Sequence, residues 1–203
     1  MAEPRVLLWD IGGVLLSNGF DDRARAIAAT TFGFDLGDFE RRHAAVVDSL
    51  ERGGMSVDEY LDATLFYTPR AFERAAVRAY IVAQSTPHPD VIALAESFAT
   101  IPELQMVAFN NEGTELNEER IRRFGLDRFL RLFFSSCYTG RRKPEVGAYE
   151  LVLGVLRRAP GEIVYVDDRL ENLAPAKVLG IHTIHFTDTA SLRRDLASAG
   201  ISA

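Results

Sequence analysis

The pattern of this 203-residue chain predicts a parallel α/β sheet interrupted by a block of helices. Two observations carry the prediction. Short, nearly continuous apolar runs alternate with amphipathic helical stretches, as expected for strands buried on both faces and joined by crossover helices. Between the first run and the second, only helical signals occur, so that segment reads as an insertion.

The first run, RVLLWD over residues 5–10, ends in one carboxylate, Asp10, and breaks at once into Gly12-Gly13. Four amphipathic stretches fill residues 21–85: DDRARAIAATTFG, DLGDFERRHAAVVDSLERGG, SVDEYLDATLFY and PRAFERAAVRAYIVAQS. Gly33, Gly53-Gly54 and Thr68-Pro69 punctuate them. They read as a small helical bundle or cap. STPHPD then leads into a helix over residues 91–99, which returns the chain to the sheet. Further strands are expected over residues 104–109, 132–136, 163–166 and 181–186. Helices over residues 114–124, 144–156 and 170–179 separate them. The second of these has Pro144 in its first turn, and the third has Gly180 as its C-terminal cap. The expected organisation is a core of residues 1–17 and 86–203 with a helical cap of residues 18–85.

Composition narrows the function. Hydrophobic residues at 47% and charged residues at 26% describe an ordinary globular core. A formal net charge of -6 argues against a nucleic-acid partner, whose phosphates reward clustered Lys and Arg. No apolar run approaches the ~20 residues of a membrane span. A single cysteine, Cys137, allows no internal disulfide and fits a reducing cytoplasm. The first residues lack the pattern of a secretory signal, so a cytoplasmic protein is expected.

The strand ends supply the chemistry, because ligands of doubly wound sheets sit at the carboxyl ends of the strands. The first strand ends in Asp10. The second runs into Asn110-Asn111. The third is followed by SSCYTGRRKPE, which carries Lys143. The fourth ends in Asp167-Asp168. On one rim, these groups make a kit for Mg²⁺ and a phosphate. Carboxylates are hard ligands for Mg²⁺, a lysine offsets anionic charge, and a carboxylate can itself attack phosphorus.

LLWDIGGVL, MVAFNNEG, GRRKPEVGAYE and IVYVDDRLENL come in the order of the four motifs of the haloacid dehalogenase-like hydrolase superfamily, which the chain resembles over nearly its whole length. Within it, the chain resembles small bacterial members of the α-D-glucose-1-phosphate phosphatase-like kind. The resemblance implies a Rossmann-like core, and a Mg²⁺-dependent hydrolase of small phosphorylated metabolites working through an aspartyl-phosphate. It also implies Asp10 as nucleophile and Lys143 as charge-neutralising lysine. The metal would be held by Asp10, Asp168 with Asp167 beside it, and the carbonyl of Gly12. Gly12 and Gly13 would bring the backbone close to the anion, with Asn110 and Asn111 as further substrate contacts.

The chain departs from the family pattern at two points. Most phosphatases of the family carry a second Asp, the general acid and base, where this chain has Gly12. The usual Ser or Thr of the second motif is replaced by Asn110, whose amide can still donate. Asp21 or Asp22, or a water, are candidates to supply the missing proton. The gap at Gly12 also suits a carbon–halogen hydrolase, which has no alcohol to protonate. Both departures together suit a catalytically retired binding protein.

Other residues read as structural. His182 and His185 stand three apart on a strand and so face opposite sides. His43 and His88 have no partner pattern. Asn172 braces a helix start, and Cys137 is a small, partly buried side chain.

Overall fold

The computed structural model describes Glu3 and residues 5–202. In chain order, β1 (Val6–Trp9) is followed by α1 (Asp22–Phe32), α2 (Leu36–Glu51), α3 (Val57–Thr64), α4 (Arg74–Ala83) and α5 (Pro89–Phe98). Next come β2 (Gln105–Asn110), α6 (Thr114–Phe124), β3 (Leu132–Ser135), the short α7 (Ser136–Thr139) and α8 (Val146–Leu156). The chain ends with β4 (Ile163–Asp167), α9 (Leu170–Val178), β5 (His182–His185) and α10 (Thr189–Ser198).

The five strands form one sheet of order β3-β2-β1-β4-β5, and every pairing is parallel. The order reverses at β1, so the carboxyl ends of β1 and β4 flank the switch point, where such sheets bind ligands. Strand alternation divides the core in two. Leu7, Trp9, Met106, Ala108, Val164 and Val166 pack against α5 and α10 on one face. Val6, Leu8, Val107, Phe109, Ile163 and Tyr165 pack against α8 and α9 on the other. Both faces are covered, which is why the strands read as unbroken apolar runs.

Helices α1 to α4 share a third cluster built on Phe34, Phe39, Leu50, Tyr60, Leu61 and Ile81. Their starts are capped as the sequence suggests. Asp21 and Asp35 accept from Ala24 N–H and Asp38 N–H, and Ser56 with Glu59 forms a capping box. Helix α4 begins later than its sequence pattern suggested. Phe72 leaves the helical path to pack against Phe32, Phe34 and Phe66, and Arg70 Nε donates to Leu65 O at 2.7 Å. Helix α8 also begins later: Pro144 lies in the preceding turn, and Glu145 is the N-cap. Leu179, not Gly180, is the C-cap of α9. Helix α10 buries only Leu192 and Leu196, a thin apolar signal that the sequence reading passed over. Among the described residues, no helix is long and apolar enough to cross a membrane.

Candidate active site

Asp10 is the residue after β1, and its N–H continues the sheet by donating to Val166 O at 2.9 Å. Its carboxylate is 6% exposed at the base of a cavity of about 660 Å³ between the sheet's carboxyl edge and helices α1 to α4. Lys143 reaches it from the loop between α7 and α8, with Nζ 3.0 Å from Asp10 Oδ1 and 2.7 Å from Asp167 Oδ2. Asn111 fixes that loop at both backbone polar groups of the lysine. Its Nδ2 donates to Lys143 O at 2.8 Å, and Lys143 N–H donates to its Oδ1 at 2.9 Å.

The two adjacent acids differ in their partners. Asp167 is fully buried, and both of its oxygens are occupied. Oδ2 accepts from Lys143, from the Tyr165 hydroxyl and from Asn172, while Oδ1 accepts from Arg169 N–H and Asn172. Asp168 accepts from Asn18 Nδ2 at 3.1 Å on Oδ2, and its buried Oδ1 has no partner. The carbonyl of Asp168 is steadied by His185, whose Nε2 donates to it at 3.0 Å. Gly13 clears the way for Asp168: a Cβ there would stand 2.1 Å from Asp168 Oδ2. Oxygens of Asp10, Asp167 and Asp168 all lie within 4.8 Å of one another.

This grouping shapes the titration. Burial, with the charges of Asp167 and Asp168, pushes Asp10 up to about 8, against the pull of Lys143. Burial also acts to raise Asp167, but Lys143, Tyr165 and Arg169 N–H outweigh it and hold that carboxyl below its usual range. Burial acts to lower Lys143, and the two carboxylates outweigh it and raise the ammonium. Three acids therefore cluster beside one lysine that pairs with only two of them, and one buried oxygen is left over. A hard divalent cation supplies both the missing charge and the missing partner, so the donor set fits Mg²⁺.

Asp10, Gly12, Asn111, Lys143 and Asp168 all line this cavity. Asn110 is placed elsewhere: at 2% exposure, it accepts from Ser135 Oγ of β3 and donates to Asn117 Oδ1 of α6. Asp21 and Asp22 line the cavity rim but are already engaged. Asp21 caps α1, and Asp22 pairs with Arg25. Sequence reasoning missed Asn18 and the buried pair Arg120–Glu112, at 2.7 Å. It also assigned no partner to His43, which meets the Tyr60 hydroxyl at 2.8 Å on the cap side of the cavity. No local pattern marks such contacts, because their partners come together only in the fold.

A parallel sheet with acids at its switch point, a buried lysine and a helical insertion defines a hydrolase of the haloacid dehalogenase type. The chain belongs to that family: the model of the haloacid dehalogenase-like hydrolases matches residues 4–180. Flavin mononucleotide hydrolase 1 of Arabidopsis thaliana is 26% identical over 97% of this chain and 78% of its own length. Bifunctional epoxide hydrolase 2 of Rattus norvegicus is 41% identical, but over 35% of this chain and only 13% of its own length. A family enzyme of Bacteroides thetaiotaomicron, solved in complex with magnesium and inorganic phosphate, shares the fold. It has a TM-score of 0.78 and 17% identity, over 91% of this chain and 94% of its own.

Proposed function

We propose that the protein is a Mg²⁺-dependent phosphomonoester hydrolase of the cytoplasm, with a catalytic core of residues 1–17 and 86–203 and a substrate-selecting cap of residues 18–85. One observation carries the reading. Asp10 stands between the buried Lys143 ammonium and Asp168, whose inner oxygen has no partner. Asp10 and Asp168, with Asp167 beside them and the carbonyl of Gly12, would hold the ion. Mg²⁺, when bound, supplies the positive charge that lets a carboxylate approach an anionic phosphoryl group.

In this reading, an Asp10 oxygen attacks phosphorus, and the bond from phosphorus to the ester oxygen breaks with its electron pair leaving on that oxygen. Water then attacks the aspartyl-phosphate, releasing inorganic phosphate and restoring the carboxylate. Lys143 steadies the charge throughout. Asn111 holds the backbone of Lys143 in place, and Gly13 gives Asp168 its room. The substrate is a small phosphorylated metabolite. Phe20, Val47, Leu50, Tyr60 and Ile81 give the cap side of the cavity an apolar wall for its body. The named activity of the Arabidopsis relative supports a phosphorylated small molecule.

The gap at Gly12 favours a second reading, carbon–halogen hydrolysis. Three clustered acids around a cation site count against it, because such dehalogenases work without Mg²⁺. Retention of Asp10, Lys143 and Asp168 likewise counts against a retired protein. The test measures phosphate release from p-nitrophenyl phosphate with and without Mg²⁺, beside halide release from a 2-haloacid, for wild type and Asp10→Asn. Expected are Mg²⁺-dependent phosphate release, its loss in a folded Asp10→Asn protein, and no halide. Undiminished turnover by Asp10→Asn would sink the nucleophile assignment.

A further inference from the structure

Gly12 leaves the usual proton-donor position without an acid, and a different group faces it. A Cβ on Gly12 would lie 3.6 Å from Arg120 Nη1 and 3.4 Å from Asn18 Oδ1. Arg120 comes from α6 and is 6% exposed. Three groups aim it. Glu112 Oε2 lies 2.7 Å from Nη1, Ser85 Oγ accepts from Nε at 2.9 Å, and Asn18 O accepts from Nη2 at 3.4 Å. Gly19 leaves it space, since a Cβ there would stand 2.1 Å from Arg120 Nη2. A guanidinium has five N–H donors; Ser85 and Asn18 accept from Nε and from one N–H of Nη2, while Glu112 pairs with Nη1 by charge. Each terminal nitrogen therefore keeps at least one free N–H. Arg120, Glu112 and Gly12 line the same cavity as Asp10 and Lys143.

The geometry points to Arg120 as the residue that receives the leaving oxygen. As phosphorus passes to Asp10, a free Arg120 N–H donates a hydrogen bond to the departing ester oxygen and stabilises the alkoxide forming there. This inference rests on the phosphatase reading above. The guanidinium keeps its proton, so the alkoxide takes its proton from water and Arg120 ends the step unchanged. Stabilisation by an oriented cation thus stands in for proton transfer. Glu112 is the positioning partner that holds the guanidinium toward Gly12.

The competing account makes Arg120 a strut tying Asn18 and Ser85, at the two ends of the helical insertion, to α6. The two accounts differ in what the leaving group feels. Loss of a strut slows every substrate by one factor. Loss of the oxygen's partner hurts alkyl phosphates more, because a phenolate needs little help to depart.

The experiment measures kcat/KM, which reports the step that expels the alcohol, for ethyl phosphate and p-nitrophenyl phosphate with Mg²⁺. Wild type, Arg120→Lys, Arg120→Met, the double variant Arg120→Met/Glu112→Gln and Asp10→Asn are compared, with circular dichroism to establish folding. Removing one oriented donor costs about 10²–10³-fold in related sites. The ethyl to p-nitrophenyl ratio is therefore expected to fall about tenfold or more in Arg120→Met, and by less in Arg120→Lys. The double variant removes both charges of the pair and carries the same comparison if Arg120→Met does not fold. An unchanged ratio in the folded variants overturns the role of Arg120, with the phosphatase reading intact if Asp10→Asn is dead. Full activity of Asp10→Asn overturns that reading instead.

Discussion

At the scale of single residues, the site separates two neighbouring acids by their partners rather than by their type. Asp167 is saturated with protein donors, including the lysine, whereas Asp168 keeps one buried oxygen without a protein partner. Asp167 is the last residue of β4 and Asp168 lies in the bend after it, so the two side chains meet different surroundings. Asp168→Ala is therefore expected to abolish Mg²⁺ binding measured by calorimetry while leaving the fold nearly as stable. Asp167→Ala is expected to act mainly on stability, because it strips the buried Lys143 of its nearer partner. Breaking a buried pair from one side costs about 3–5 kcal/mol. Weak binding by a folded Asp167→Ala protein alongside normal binding by Asp168→Ala would reverse the assignment.

At the scale of elements, the C-terminal end of α2 docks on the segment that carries the lysine. Ser136 Oγ donates to Glu51 O at 2.6 Å, Arg52 Nη1 donates to Gly140 O at 2.8 Å, and Arg142 pairs with Asp48 and Glu51 at 2.7 and 2.6 Å. Gly53 closes this seam, where a Cβ would stand 2.4 Å from Cys137 O. Gly33 has nearly the same left-handed φ, +72 against +74, with nothing within 4 Å of a Cβ. The pair is a controlled comparison. Gly33→Ala is expected to cost about 1 kcal/mol, for the backbone conformation alone. Gly53→Ala should cost about 1–3 kcal/mol more, as overpacking does, and should lower kcat by shifting the loop of Lys143. Equal denaturant midpoints for the two variants would show that the seam yields freely.

The same contrast explains what the sequence made legible. Strands covered on both faces leave unbroken apolar runs, and acids at their ends stand out against them, so the sheet and the positions of Asp10, Lys143 and Asp168 could be read directly. Helix starts marked by Asp21, Asp35 and Ser56 were equally plain. The start of α4 was not, because Phe72 answers to three distant aromatic rings rather than to its neighbours in the chain. Asn110 looked like a site residue from its place at a strand end, yet Ser135 of β3 and Asn117 of α6 tie down its side chain. Arg120 sits in a helix with ordinary spacing, and only the fold sets it against Gly12.

At the scale of the whole molecule, the proposed cation site would couple the metal to folding. Asp10 comes from the start of the chain and Asp168 from near its end, and only the completed sheet brings them within 4.8 Å. The unfolded chain has no such site, so the free energy of Mg²⁺ binding would add to that of folding. At about 100 times the dissociation constant, this amounts to about 2.7 kcal/mol. For a chain of this size, each kcal/mol moves the midpoint by about 2–4 °C, so saturating Mg²⁺ is expected to raise Tm by about 5–10 °C. Relief of repulsion among the three clustered acids is part of that binding free energy. Added NaCl at matched ionic strength controls for general screening. Asp168→Ala should lose most of the Mg²⁺ increment while keeping the small response to NaCl. A Tm that rises as much with NaCl as with Mg²⁺, or an increment undiminished in Asp168→Ala, would show that the three carboxylates do not form the cation site.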